Sequence, residues 1–140
     1  MLAGSQDAAQ NLRVLKEAGI THIVNLATGV PNYYDFDFSY KKVDVRDYAT
    51  EYIRQHFEEV FRFMDDARRC GGKVFVHCNA GISRAATICI GYLMSRYRMR
   101  YDEAFGTVKQ ARPIICPNDG FRHQLREYDR ELFGLSPPYI

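Results

Sequence analysis

The chain is predicted to fold as an α/β domain, and three observations predict it. Short apolar, β-branched runs alternate with stretches whose apolar residues recur at helical spacing, the order expected of strands connected through helices. One such run, Lys73 to His77, ends at Cys78 and a glycine-containing loop, and another stretch of helical spacing begins directly after it. The 140 residues, 46% hydrophobic and 26% charged, suffice for one domain with one core.

In chain order, Ser5 reads as an N-cap, and Asp7 adds negative charge to a first turn. Ala8, Leu12 and Leu15 then have helical spacing up to a stop at Gly19, so a helix is expected over 6–18. Residues 21–26 read as a buried strand, broken by Gly29, Pro31 and Asn32. Tyr33 to Phe38 is an aromatic and acidic loop, either rings packed on the core or a substrate-facing rim. Residues 39–45 alternate as a strand does. Thr50 is a candidate cap for a helix over 51–69, whose Phe57, Val60, Phe61 and Met64 form one apolar stripe. Cys70-Gly71-Gly72 turns that helix into the strand at 73–77. Helices are expected over 84–98 and 102–111, the second ended by Pro113. Ile114, Ile115 and Cys116 read as a buried segment. Pro117-Asn118-Asp119-Gly120-Phe121 opens a last helix to about Phe133, and Ser136-Pro137-Pro138 forms a tail.

The chemistry concentrates between His77 and Arg84. A strand that ends in a tight loop before a helix aims several backbone N–H groups at one point, which makes an anion site and favours a thiolate placed there. Arg84 supplies a planar two-pronged donor suited to two phosphate oxygens. Gly81 suits a loop that needs unusual backbone angles. The Ser83 hydroxyl can hydrogen-bond the sulfur and help it leave, and His77 can orient the loop through its ring nitrogens. Without these neighbours, Cys78 would read as a buried packing cysteine.

His77-Cys78-x-x-Gly81-x-x-Arg84 resembles the signature loop of the cysteine-dependent protein tyrosine phosphatases, and Ser83, Ala85 and Ala86 are similar to its dual-specificity branch. The likeness extends over essentially the whole chain. Gly4 to Ala9, His77 to Ala86 and Ala111 to Asn118 are similar to a narrower group, the small atypical phosphatases that regulate stress-activated kinase pathways. The family fold implied is a central mixed, mostly parallel sheet of about five strands flanked by helices. Met1 to Ser5 resembles the end of that family's edge strand, so residues 1–140 are expected to be a single catalytic domain, with excision from a longer protein left open.

The resemblance also assigns roles. Cys78 is the implied nucleophile. Arg84 and the loop residues Asn79, Ala80, Gly81, Ile82 and Ser83 hold the phosphate, and Ser83 assists departure of the sulfur. Asp at a strand end is ordinarily a turn or cap residue, but Asp47 lies on the loop where this family carries its general acid, so it is assigned that role. Asp44 is the rival, and strand alternation makes it structural. Asn118 lies in a stretch resembling the family's Pro-Asn-x-Gly-Phe motif, where it either caps the last helix or braces the signature loop. No metal or other cofactor is implied.

Phosphotyrosine and phosphoserine or phosphothreonine in proteins are the expected substrates, because the chain has no obvious room for the segment that deepens the pocket in phosphotyrosine-only relatives. Neutral Asn79, Ala80 and Ile82 argue against a phosphoinositide, for which relatives place lysines in the loop. A phosphatase of a non-protein ester and a non-catalytic phosphate-binding scaffold stand as alternatives. The presence of Cys78, Arg84 and Asp47 together favours catalysis. The expected partners are phosphorylated proteins, with members of a stress-activated kinase pathway as candidates, and a monomer is expected. A net charge of +2 gives no case for nucleic acid. There is no apolar run of membrane-spanning length and no leader-like segment. The four cysteines show no metal-type spacing, and a working thiol fits a reducing compartment, so a cytoplasmic or nuclear protein is expected. Cys89 and Cys116 are expected to be packing residues, with a resolving cysteine for oxidised Cys78 as the alternative.

Overall fold

The computed structural model describes residues 1–134, and the expected proline-containing tail lies outside them. Four strands, β1 (Leu2–Gly4), β2 (His22–Asn25), β3 (Ser39–Lys42) and β4 (Val74–His77), form one sheet in the order β1-β4-β2-β3. All the pairings are parallel. The α/β class holds, with four strands where about five were expected and no antiparallel member among the described residues. The reason lies in the connections. Each pair of successive strands is joined by a long crossover rather than a hairpin, and crossovers return the chain in the same direction.

Helices cover both faces. Alternation along β4 sends Val74 and Val76 to one face and Phe75 to the other. The larger core lies under α3 (Phe57–Arg69), α4 (Arg84–Arg96), α5 (Tyr101–Ala111) and α6 (Asp119–Phe133). The stripe expected on α3 is the buried one: Phe57, Val60, Phe61 and Met64, with Ala67. Residues Arg84 to Met94 of α4 are all buried, so this helix runs through the middle of the domain. The smaller core packs Ala9, Leu15, Ile20, Ile23, Phe38 and Phe75 beneath α1 (Gln6–Ala9) and α2 (Leu12–Glu17).

Several local expectations are corrected. The helix over 6–18 is two helices, because the Asn11 side chain accepts a hydrogen bond from the Val14 N–H at 3.1 Å and so caps a fresh start. Ser5 occupies the N-cap position of α1, but its side chain makes no capping bond. Gly19 does stop the helix, at φ +79°. Thr50 does not cap α3, which starts at Phe57 after a 3-10 turn at Ile53–His56. The chain before α3 is tied to α6 instead, through Gln124, which accepts from the Arg54 N–H and donates to the Glu51 carbonyl. Of the segment 114–116 only Ile115 is buried; Ile114 and Cys116 are exposed. The aromatic loop is divided: Phe38 and Tyr34 pack inward, while Tyr33, Asp35, Phe36 and Asp37 are exposed. Phe38 is buried, Tyr34 donates to the Gln10 carbonyl, and Phe36 alone stands fully in solvent.

A wholly parallel sheet puts all its C-terminal strand ends on one side. Gly4, Asn25, Lys42 and His77 are those ends; Gln6, Thr28, Asp47 and the Cys78–Arg84 loop follow them, and the α5–α6 connection adds Arg112 and Asn118.

Candidate active site

β4, an interior strand, delivers Cys78 to the C-terminal end of the sheet, 2% exposed, with its backbone N–H donating to the Gly4 carbonyl of β1 at 3.3 Å. The Gly81 N–H lies 3.2 Å from Cys78 Sγ and donates to it. Gly81 has φ +72°, the left-handed region that glycine tolerates. A Cβ there would also meet the Gly4 carbonyl oxygen at 2.6 Å, so the position is closed to side chains.

The loop carbonyls face away from the sulfur, each with its own donor. Asn79 O accepts from the Gln6 N–H at 3.0 Å, and Ile82 O from the Cys116 N–H at 2.8 Å. Ser83 O accepts from both the N–H and the hydroxyl of Thr87. Ala80 O and Gly81 O both accept from Arg112, at 3.1 and 2.8 Å. In a trans peptide the N–H points opposite to the C=O. With these carbonyls turned outward, the amides of Ala80 to Arg84 turn inward, toward the mouth of the loop at the N-terminus of α4. That is a cradle of donors for a tetrahedral anion.

Arg84 is 8% exposed and is held from behind. Its Nη1 donates to the carbonyls of Leu26 (3.3 Å) and Val45 (3.0 Å) and to Thr28 Oγ1 (3.2 Å). Its Nη2 donates to Asn79 Oδ1 at 2.8 Å. Buried Nε has no hydrogen-bond partner among the described residues. An orphaned buried donor costs about 1–3 kcal/mol, and here Nε and the second Nη2 proton are what the guanidinium has left for a ligand. Asn79 uses its whole amide in the same network, donating to Gln6 Oε1 and the Thr28 carbonyl and accepting from the Thr28 N–H and Arg84.

Asp47 follows the buried-exposed-buried run Val43-Asp44-Val45 and is itself exposed. Asn118 joins it to the loop. Asn118 Nδ2 donates to Asp47 Oδ1 at 2.9 Å, and the Asn118 backbone N–H donates to Ser83 Oγ at 3.0 Å. Asn118 Oδ1 accepts from the Phe121 N–H at 2.9 Å, capping α6. That bond fixes the orientation of the amide, since the oxygen must face the backbone donor and the NH₂ must face Asp47. Asn118 therefore fills both roles weighed for it and adds a third, as a tether for Asp47. Gly120 packs so closely on Ala49 that a Cβ would run into the Ala49 carbonyl oxygen, which seats the 46–50 turn against α6. Asp44, on the exposed side, is not drawn into this network.

His77 is buried, and its ring stacks on Phe75 at 5.7 Å. Burial pushes its pKa down to about 4, with nearby Lys42 adding to the shift against the Cys78 carbonyl, so the imidazole is neutral at pH 7. Its Nδ1 lies 3.5 Å from that carbonyl, at the limit of a hydrogen bond. Its hold on the loop comes from packing more than from its ring nitrogens. Cys89 is buried in the core, which pushes its thiol up to about 12. That fits the packing role. Cys116 is exposed, so packing is not its role.

Of the residues singled out from the sequence, Cys78, the 79–84 amides, Arg84, Ser83, Asp47 and Asn118 belong to one hydrogen-bonded mouth, while His77 packs beneath it, Asp44 stays outside it and Cys89 lies in the core. Sequence reading gave no site role to Arg112, Thr28, Gln6 and Gly120, which meet the site from 34 to 72 positions away from Cys78 along the chain. No local spacing rule connects them to it.

The model of the dual specificity phosphatase catalytic domain matches residues 2–131. The chain belongs to that family. It is similar to mouse dual specificity protein phosphatase 19, 48% identical over 91% of this chain and 58% of that protein. Human dual specificity protein phosphatase 1 is 42% identical over 94% of this chain and 36% of its own length. The chain thus spans between about a third and three-fifths of these curated relatives. Among solved structures, human tyrosine phosphatase-like serine/threonine/tyrosine-interacting protein superimposes with a TM-score of 0.86 at 38% identity, over 92% of this chain and 90% of that one. A mouse putative dual specificity phosphatase complexed with zinc tungstate gives 0.88 at 37% identity, over 92% and 81%.

Proposed function

We propose that the protein is a dual specificity protein phosphatase, hydrolysing phosphotyrosine and phosphoserine or phosphothreonine monoesters through a phosphocysteine intermediate. The observation that carries the reading is the joint placement of Cys78 under an inward cradle of amides, Arg84 with an unpartnered buried Nε, and Asp47 tethered to the same loop by Asn118.

The phosphoryl oxygens sit in the cradle against Arg84, where charge builds up in the transition state. The Cys78 thiolate attacks phosphorus, the P–O ester bond breaks, and the leaving oxygen takes the proton from the Asp47 carboxyl. Asn118 occupies Asp47 Oδ1, so the proton is carried on Oδ2. In the second step a water attacks phosphorus and gives its proton to Asp47. The P–S bond breaks and the thiolate returns, leaving inorganic phosphate. Ser83 Oγ accepts from the Asn118 N–H, which keeps the hydroxyl proton free to donate to the departing sulfur. The Gly81 N–H supports the same negative charge.

Protein phosphoesters are the proposed substrates, in keeping with the names of the relatives, and stress-activated kinase pathways are the proposed setting. A cytoplasmic or nuclear location fits a mechanism that requires Cys78 as a free thiol. The test is release of phosphate from peptides carrying phosphotyrosine and phosphothreonine, by wild type and Cys78→Ser, with chelator present. Turnover on both residues that vanishes in the variant supports the reading. A folded wild type that binds phosphopeptides without turning them over would replace it with the scaffold reading.

A further inference from the structure

One side chain outside the signature loop, Arg112, holds two successive peptides of the phosphate cradle. Two of the outward carbonyls, Ala80 O and Gly81 O, are held by Arg112, through Nη2 and Nε respectively. The donors to Asn79 O and Ile82 O are backbone amides. Carbonyl and amide of one trans peptide point in opposite directions. Ala80 O turned out to Arg112 is therefore the same fact as the Gly81 N–H turned in, where it reaches Cys78 Sγ at 3.2 Å. Gly81 O turned out to Arg112 likewise turns the Ile82 N–H into the mouth. The two peptides flank Gly81, the residue with positive φ and the one whose backbone is freest to rotate. The Arg112 Nη2 lies so near that a Cβ on residue 81 would meet it at 2.8 Å.

We infer that Arg112 is a positioning residue for the phosphatase reaction: its guanidinium fork locks the two peptide planes around Gly81 so that their N–H groups face the thiolate and the phosphoryl oxygens. The inference rests on the phosphatase reading. Arg112 acts through the loop backbone, where its side-chain hydrogen bonds go. Its fork matters more than its charge, since two divergent carbonyls need two donors in a fixed plane, which a lysine ammonium does not supply. Its backbone N–H, which closes α5 on the Val108 carbonyl, is kept in substitutions to lysine and alanine.

The test compares wild type, Arg112→Lys and Arg112→Ala in three measurements: kcat/KM on an aryl phosphate, inhibition by tungstate, and the ratio of Cys78 alkylation rates with iodoacetate and iodoacetamide. The anionic reagent needs the cradle and the neutral one does not, so the ratio reports the cradle without turnover. Both variants should lose about 10- to 100-fold in kcat/KM, bind tungstate at least several-fold more weakly and bring the alkylation ratio toward one, with lysine failing to rescue. Melting curves identify the folded fraction to which rates are normalised. Arg112→Lys with wild-type tungstate inhibition and alkylation ratio would overturn the inference, as would variants whose folded fraction behaves as wild type. If wild type itself alkylates selectively with iodoacetate yet hydrolyses nothing, the phosphatase reading falls while the role of Arg112 in the cradle is still decided by the variants.

Discussion

The two halves of the site are built differently. The phosphate loop lies between the sheet and α4 with Cys78, Gly81, Ser83 and Arg84 buried, Asn79 and Ile82 half-buried and Ala80 exposed, and the carbonyls of residues 79–83 are each satisfied by a donor. The Asp47 turn is exposed and hangs on few attachments: the Asn118 amide, the Glu51 carboxylate accepting from the Arg46 N–H, and the close seat of Gly120 on Ala49. Binding an anion needs fixed dipoles, which cost nothing to reorganise during the reaction. Delivering a proton to leaving groups of different size needs a carboxyl that a shallow, exposed turn can present. The contrast teaches that oxyanion affinity and proton delivery should separate under mutation.

The largest effect should come from Cys78→Ser, which removes the nucleophile. Turnover should fall by about 10⁴-fold or more, while tungstate or phosphopeptide binding, read by calorimetry, persists. Arg84→Lys keeps the charge but loses the fork, and should cost roughly 10²- to 10³-fold in kcat/KM together with weakened tungstate inhibition. Asp47→Asn attacks the other half. It should lower kcat roughly 10²-fold or more and remove the basic limb of the pH–rate profile, with tungstate inhibition unchanged. Weakened inhibition in that variant would show that the halves are not separable. Gly120→Ala should act on the acid turn through packing, costing about 1–3 kcal/mol of stability and lowering kcat more than tungstate affinity; a melting curve and an inhibition curve read both.

The smallest expected effect on turnover concerns His77, which sharpens the comparison from beneath the loop. Its pKa in the folded protein, about 4, lies below the ordinary value of 6.5. Between those values the unfolded chain binds the proton and the folded protein does not, so stability falls as pH drops from 6.5 toward 4. The loss amounts to about 3 kcal/mol at most. Urea titrations across that range should show it, and His77→Asn should flatten this part of the pH dependence. An unchanged slope in the variant would assign the acid loss to other groups.

Much of this molecule could be read in advance where the information is local. The run Val74 to Arg84 announces strand, loop and helix, because alternation, glycine and a nucleophile before a helix start are all short-range signals. The stripe on α3 was legible for the same reason. Thr50 misled because a good cap residue yields to tertiary ties, here those of Gln124 to Arg54 and Glu51. Asn11 misled in the opposite direction, by capping a helix start inside a run of continuous helical spacing.

The sequence by itself determined the chemistry: a thiol, a guanidinium and a carboxyl in an α/β frame, since residue types and short spacings specify which reaction is possible. Only the tertiary structure decided how those groups are held. A parallel sheet collects its strand ends on one side, which brings Gln6, Thr28 and Asp47 to Cys78, and the α5–α6 connection packed over them adds Arg112 and Asn118, so that five separate places in the chain meet. Hydrogen bonds are directional over about 3 Å, whereas sequence separation carries no direction at all. Which carbonyl Arg112 takes, and which oxygen of Asp47 Asn118 leaves free, is therefore fixed by the packed fold.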